Sequence, residues 1–239
     1  MLKTLTLSIL FLLSTSWTFA ETQPLALVYA GPGVCDGCET SLAATIHQSG
    51  FRVQLIRAGE ISSEILSKAS IFAVPGGEEE ADVKNALFPG EAERIRDFVN
   101  RGGSYLGVCL GAYLAANWMS DRESQHGLQL FDGEIRNHSP TKEARMEDVT
   151  WQGHHRWLYF QDGPEFSLSA SSTNPTDIWA YYKTGAIAAL QTKFGTGRVG
   201  LIGPHLEADQ TWWDEDHLVD PDGLDGDLMP AFLQSLIAR

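Results

Sequence analysis

The sequence predicts an α/β protein with a mostly parallel central sheet and extra antiparallel strands. In the first half of the chain, short continuous apolar runs alternate with helical segments, and most of the runs end at glycine-rich turns. This pattern is typical of parallel strands that are covered on both faces. From residue 128 onward, short strand-like segments are separated by polar turns, which indicates antiparallel pairing.

The first half is predicted to supply four parallel strands. Their residues are aliphatic, β-branched or aromatic, and they lie at Leu25–Tyr29, Arg52–Ile56, Ile71–Val74 and Ser104–Val108. Helices are predicted at Cys38–Ser49, Ile61–Lys68, Glu91–Asn100 and after residue 109. Because ligands bind outside the carboxyl ends of parallel strands, the turns GPGVC (31–35), PGG (75–77) and GVCLG (107–111) are expected at one edge.

The second half is predicted to add the antiparallel strands. They lie at Leu128–Ile135, Met146–Trp151, Trp157–Phe160, Phe166–Ala170, Ile178–Tyr182, Ala186–Lys193 and Arg198–Ile202. Phe194-Gly195-Thr196-Gly197 between the last two has the composition of a hairpin turn. An acidic loop (214–227) precedes a final helix (228–239).

Charge and the N-terminus limit the classes of partner. The chain has 31 acidic and 17 basic residues and a net charge of −14, which argues against binding to nucleic acid or anionic membranes. Residues 1–20 are predicted to be a signal peptide, because Lys3 precedes an apolar stretch and small residues end at Ala20. We therefore expect a secreted or periplasmic protein with one domain at residues 21–239. Its oligomeric state is left open.

Cys109 is the candidate nucleophile. It lies between Gly107 and Gly111, at the predicted junction of a strand and a helix, as the serine does in the nucleophile elbow of hydrolases. A helix N-terminus favours the thiolate form of a cysteine. The alternative is that Cys109 is a small core residue between two glycines.

His205 and Glu207 are the candidate partners of Cys109. They follow the strand Arg198–Ile202 in the segment GPHLEAD, where the carboxylate can orient the imidazole as a base. The backbone N–H groups of Gly76, Gly77 and Leu110 are the candidate oxyanion hole.

Four segments together resemble a known family. PGGEEE, RGGSYLGVCLGAYLAAN, GRVGLIGPHLEAD and VYAGPGVCDGC are similar to the family named for the N-terminal domain of biotin–protein ligases, within the class I glutamine amidotransferase-like superfamily. The resemblance implies a flavodoxin-like three-layer α/β/α sandwich. It also implies a triad with Cys109 as nucleophile, His205 as base and Glu207 as orienting carboxylate.

Two other motifs have open interpretations. Cys35 and Cys38 form a C-x-x-C pair that is interpreted as a structural disulfide, a redox or ligand site, or free thiols. The acidic loop from Asp220 to Asp227 resembles a calcium-binding loop in composition. Counted from Asp220, however, the twelfth position is Ala231, where an EF-hand needs glutamate. We expect no metal and no cofactor.

The sequence therefore predicts an exported cysteine amidohydrolase that acts on a small-molecule or peptide amide. One alternative is a binding protein on the same fold, without catalysis. The other is a thiol-redox protein that uses the C-x-x-C pair.

Overall fold

The computed structural model describes residues 23–78, 80–116 and 127–238, so the predicted signal peptide lies outside the described residues. The strands are β1 (Leu25–Tyr29), β2 (Arg52–Ile56), β3 (Ile71–Val74), β4 (Ser104–Val108), β5 (Gly133–Asn137), β6 (Arg145–Trp151), β7 (His154–Phe160), β8 (Pro164–Leu168), β9 (Thr176–Tyr182), β10 (Ile187–Phe194) and β11 (Gly197–Ile202). The helices are α1 (Cys38–Gln48), α2 (Ser63–Leu66), α3 (Glu80–Ala86), α4 (Glu91–Asn100), α5 (Leu110–Leu114), α6 (Gln210–Glu215) and α7 (Met229–Ile237).

All eleven of these strands belong to one mixed sheet. Its main path is β2-β1-β3-β4-β11-β10-β9-β6-β7, and β5 and β8 pair beside it. The pairs from β2 to β11 are parallel, and the pairs beyond β11 are antiparallel. The predicted fold class, a mostly parallel core with added antiparallel strands, is confirmed.

Helices cover both faces of the parallel part. Along β1, Ala26 and Val28 contribute to one buried cluster together with residues of α1 and α7, whereas Leu27 and Tyr29 contribute to a second cluster with residues of α4 and α5. This alternation follows from the two-residue period of a strand, and it makes both faces of β1 apolar. The result is the three-layer sandwich that the resemblance implied.

The structure corrects the prediction at several elements. Residues 128–132 of the predicted strand Leu128–Ile135 are not a strand, and β5 begins only at Gly133. Leu128, Leu130 and Phe131 are instead buried against the second cluster, which explains why this segment is apolar without pairing. The short helices α3 and α6 were not predicted. In the part of the chain that the structure describes, no helix is long and apolar enough to cross a membrane.

Candidate active site

Cys109 occupies a strained turn between β4 and α5. Its backbone has φ 48° and ψ −108°, a conformation that L-residues rarely adopt and that is often found where strain serves function. The flanking glycines make the turn possible. A Cβ at Gly107 would lie 2.4 Å from the carbonyl oxygen of Gly111, and a Cβ at Gly111 would lie 2.1 Å from that of Val74. The G-x-C-x-G spacing is therefore a packing requirement.

His205 and Glu207 lie just beyond the end of β11, the neighbour of β4 in the sheet. The backbone N–H of His205 donates to the carbonyl oxygen of Tyr159 at 2.9 Å, which fixes this segment against β7. The Nδ1 atom of His205 lies 2.9 Å from Oε1 of Glu207. Both side chains are buried, so the carboxylate holds the ring in one orientation and leaves Nε2 for another partner.

The electrostatics of His205 link it to Cys109. Burial by itself would lower the pKa of the imidazole, but the charges of Glu207 and Cys109 and hydrogen bonds to both side chains raise it to about 10. At neutral pH the imidazole of His205 is therefore protonated. The structure thus places His205 beside both Glu207 and Cys109.

The Gly76-Gly77 turn lies against His205 and the start of α5. The N–H of Gly111 donates to the carbonyl oxygen of Pro75 at 3.1 Å, which ties the turn to the start of α5. A Cβ at Gly77 would lie 2.8 Å from the Leu110 side chain. Leu110 is the first residue of α5, where an N–H has no carbonyl partner within the helix. The Gly76-Gly77 turn and the first turn of α5 are therefore in direct contact.

Gly76 is in direct contact with the His205 ring. A Cβ at this position would lie 2.5 Å from Cε1 of His205, too close for any side chain unless the ring moves. We therefore expect Gly76→Ala to displace the imidazole from Cys109. The rate of Cys109 alkylation by iodoacetamide at pH 7 should fall by up to about 30-fold, because an ordinary thiol is only about 3% ionised there.

Gly226→Ala is the matched control for this prediction. The nearest atom to a Cβ at Gly226 lies 3.8 Å away, which is ordinary contact. Peptide-resolved mass spectrometry of Cys109 in the two variants measures the difference. Equal alkylation rates would show that the Gly76 contact does not position the ring.

Cys35 and Cys38 form a disulfide at the start of α1. Of the interpretations left open by the sequence, the paired state is the one that the structure shows. Cys109 is the free cysteine. The N–H of Cys35 donates to the carbonyl oxygen of Gly76 at 3.3 Å, so the C-x-x-C turn, the Gly76-Gly77 turn and the Cys109 turn do share one edge of the sheet.

Aromatic and polar groups from β7, the segment after it and α6 enclose the site. The ring of Tyr159 packs edge-on against His205 at 5.7 Å, and Trp212 of α6 lies 5.2 Å from both rings. The Cys109 thiol donates to the carbonyl oxygen of Gln161 at 3.7 Å. No local motif marks Tyr159 or Gln161, since they reach the site only because β7 pairs with the His205 segment.

The acidic loop is occupied by an arginine. The Arg156 guanidinium contacts Asp225 and Asp227 at 2.8 Å each, and Asp222 at 3.5 Å. Asp225 is buried, and burial raises the pKa of its carboxyl to about 7 although Arg156 opposes the shift. Within the described residues, no group of three or more His, Cys, Asp or Glu side chains is arranged to hold a metal ion. The loop is thus an internal ion-pair cluster.

A cavity of about 850 Å³ lies at the opposite edge of the sheet, near the start of β4 and β11. Its cations are held by neighbouring groups. Arg94 donates to the carbonyl oxygen of Ile61 at 2.8 Å, and Arg198 donates to that of Ser235 at 3.2 Å. Arg94 and Arg198 are thus used in internal hydrogen bonds, and we assign no ligand to this cavity.

Comparison with known proteins agrees with this description. Residues 25–136 match the family model described as "Biotin-protein ligase, N terminal". The chain resembles this family. A biotin–protein ligase of Schizosaccharomyces pombe is 28% identical over 137 residues, which cover 48% of this chain and 22% of that protein. The chain thus matches about a fifth of the ligase. The family match contains Cys109 but ends before His205 and Glu207.

Solved structures show the fold. A glutamine amidotransferase is 18% identical, with a TM-score of 0.60, and the match covers 84% of this chain and 96% of that one. A glutamine amidotransferase from Thermotoga maritima is 11% identical, with a TM-score of 0.58 and coverages of 91% and 99%. A β-galactosidase from G. stearothermophilus is 13% identical, with a TM-score of 0.53 and coverages of 91% and 30%. The fold therefore occurs in proteins of different activities.

Proposed function

We propose that the protein is a cysteine-dependent amidohydrolase with Cys109 as nucleophile, His205 as acid and base, and Glu207 as the group that orients the imidazole. One observation carries the proposal: a buried histidine is hydrogen-bonded to a carboxylate and coupled to a cysteine on a strained strand-to-helix turn. A histidine so placed has a defined chemical task, whereas a cysteine that only fills a core needs no such partner.

The first step forms a thioester. Cys109 Sγ attacks the carbonyl carbon of the amide, and the carbonyl oxygen becomes an oxyanion that the N–H groups of Leu110 and Gly77 stabilise. The carbon–nitrogen bond then breaks, and His205 Nε2 gives its proton to the leaving amine. The raised pKa of His205 suits this role, because the imidazole already carries the proton at neutral pH.

The second step hydrolyses the thioester. Water attacks the acyl carbon while His205, now neutral, takes a proton from it, and Cys109 leaves as a thiolate. Glu207 stabilises the imidazolium through Nδ1 in both steps, as a buried carboxylate can without itself becoming protonated. The enzyme returns to its starting charge state, and no cofactor is required.

The surroundings of the triad limit the acyl group. Tyr159 and Trp212 present aromatic surface beside His205, and the Tyr159 hydroxyl donates to Asp216 at 2.6 Å. Aromatic faces next to a carboxylate favour neutral or cationic groups over anionic ones. The proposal therefore places a neutral or cationic amide in the site. We also propose that the protein is exported from the cytoplasm. The signal-peptide pattern of residues 1–20 and a disulfide of the kind found in oxidising compartments support this part of the proposal.

The experiment that tests the proposal uses p-nitrophenyl acetate as a neutral acyl donor. Rapid mixing should give a burst of p-nitrophenolate, and peptide mapping of the quenched protein should locate the acetyl group on Cys109. Turnover of glutamine and of neutral and lysine-derived amides is then measured with the same preparation. An acetyl group on lysine side chains without any on Cys109 would contradict the proposal and would make a non-catalytic binding protein the better description.

A further inference from the structure

Residues 33–37, which lead into α1 and carry Cys35 of the disulfide, are called the disulfide loop here. Backbone hydrogen bonds join this loop to the Gly76-Gly77 turn. Val34 and Gly77 form an isolated antiparallel bridge. The N–H of Cys35 donates to the carbonyl oxygen of Gly76 at 3.3 Å, and the N–H of Glu78 donates to that of Gly33 at 3.1 Å. These two bonds use the neighbours of Gly77 and leave its own N–H outside the bridge.

The two loops pack closely against each other. A Cβ at Gly77 would lie 2.0 Å from the carbonyl oxygen of Gly33, so the two backbones are in direct contact. On its other side, the same turn supports the catalytic ring, since a Cβ at Gly76 would lie 2.5 Å from His205. A continuous set of contacts therefore runs from the disulfide through the glycine turn to His205.

The disulfide closes the loop on which these contacts depend. Cys38 is buried at the first position of α1, whereas Cys35 is half-buried in the loop itself. The loop approaches the helix through Gly37, with φ 82°, where no side chain forms a helix cap. Thr40 Oγ1 of α1 donates to the carbonyl oxygen of Gly37 at 2.7 Å, and the S–S bond is the covalent link between this loop and the helix. Without it, the loop gains conformational freedom.

We infer that the Cys35–Cys38 disulfide is a positioning element for the Cys109–His205 pair, and that its reduction by a dithiol switches the pair off. The disulfide holds the loop, the loop holds the Gly76-Gly77 turn, and the turn holds the imidazole against the thiol. The effect on catalysis rests on the proposed function, but the effect on Cys109 reactivity does not.

The switching step is a thiol–disulfide exchange. A thiolate of the dithiol attacks the half-exposed Cys35 Sγ, the S–S bond breaks, and Cys38 leaves as a thiolate at the N-terminus of the eleven-residue α1. The second thiol of the dithiol then displaces Cys35 from the mixed disulfide. The protein gains two electrons and two protons, and the dithiol becomes a cyclic disulfide.

The test measures Cys109 alkylation by iodoacetamide at pH 6 and at pH 10, with peptide-resolved mass spectrometry. An unassisted thiol reacts about 300-fold more slowly at pH 6 than at pH 10. With the disulfide intact, we expect the two rates to differ by much less than this. In the Cys35→Ser/Cys38→Ser double variant, the pH 6 to pH 10 rate ratio should fall at least about tenfold toward the unassisted value. A ratio cancels any change in exposure that affects both rates equally.

Two further preparations separate positioning from simple loss of structure. Asp36→Asn lies between the two cysteines, is exposed and keeps the disulfide, so it should retain the wild-type ratio. Wild-type protein that is reduced with dithiothreitol and desalted should show the lowered ratio, and reoxidation should restore it. A ratio that is unchanged in both the double variant and the reduced wild type overturns the inference.

The same assay distinguishes this inference from the proposed function. If His205→Ala lowers the ratio but loss of the disulfide does not, Cys109 and His205 are a working pair and only the positioning role is wrong. If neither change affects the ratio, the proposed nucleophile itself is wrong.

Discussion

Replacing His205 with alanine is expected to reduce the rate of acyl transfer from p-nitrophenyl acetate to Cys109 by about 10²- to 10⁴-fold, the usual contribution of a positioned acid–base group. Replacing Cys109 with alanine should remove the burst entirely, because no other sulfur in the described structure is a free thiol. Stopped-flow absorbance of p-nitrophenolate, with peptide mapping of the acetyl group, measures both effects.

The activity that depends on His205 should decrease at alkaline pH. The pKa of His205 is raised to about 10, so folding favours the protonated ring, and the stabilisation that it gives is complete below pH 6.5 and is lost as the pH rises through about 10. Hydrolysis of an amide, which needs the proton for its leaving amine, should decline over the same alkaline range. The His205→Ala variant should lack this alkaline decline.

His155→Ala is the control for His205→Ala. His155 of β7 is an exposed histidine that contacts Asp148 of β6 at 2.6 Å. It should keep the wild-type burst and pH profile. If the two variants lose acyl transfer to the same extent, the effect comes from general damage to the fold, and His205 has no specific role as acid and base.

Replacing Arg156 with methionine is expected to lower the free energy of unfolding by about 3 kcal/mol, because removal of one partner leaves a buried charge uncompensated. Arg156 balances three carboxylates, of which Asp225 is only 2% exposed. In a domain of this size the change corresponds to a decrease in Tm of about 6–12 °C. Differential scanning calorimetry at pH 8 measures it.

The loss should depend on pH. Burial raises the pKa of Asp225 to about 7 in spite of Arg156, so the folded protein favours the protonated carboxyl, and this group destabilises the fold as the pH rises from about 4 through 7. Without Arg156 the pKa rises further, and the difference between variant and wild type should therefore be larger at pH 8 than at pH 5.

Arg136→Met is the matched control for Arg156→Met. Arg136 pairs with Glu134 at the surface, where its side chain is 67% exposed, and exposed pairs contribute about 0–1 kcal/mol. Its Tm should stay close to that of the wild type. Equal decreases in the two variants would show that the Arg156 cluster is no more than a surface ion pair.

The strand pattern of the first half could be predicted to the residue. Strands β1 to β4 match the predicted ranges. For β1, β3 and β4 the reason is that a strand buried on both faces must be apolar and ends where a glycine-rich turn begins. Residues 128–132 show the limit of this argument. Their apolar side chains are buried in the core although the segment forms no strand, and hydrophobicity alone does not distinguish that burial from pairing in a sheet.

The candidate site shows the same division. The G-x-C-x-G spacing, the PGG turn and the H-x-E pair could be found in the sequence, since local sterics and side-chain chemistry require these residue types at these positions. Tyr159 and Gln161 could not be found, because they enclose the site only through the pairing of β7 with the His205 segment.

The sequence by itself determined the layers of the fold, the turn that carries Cys109 and the residue types of its partners, because these depend on interactions between residues that are close along the chain. Only the tertiary structure decided that His205 is buried between Glu207 and Cys109, that the disulfide loop supports the Gly76-Gly77 turn, and that Arg156 fills the acidic loop. Each of these joins segments that are distant in sequence, and their burial and charge take effect only when the sheet brings them together.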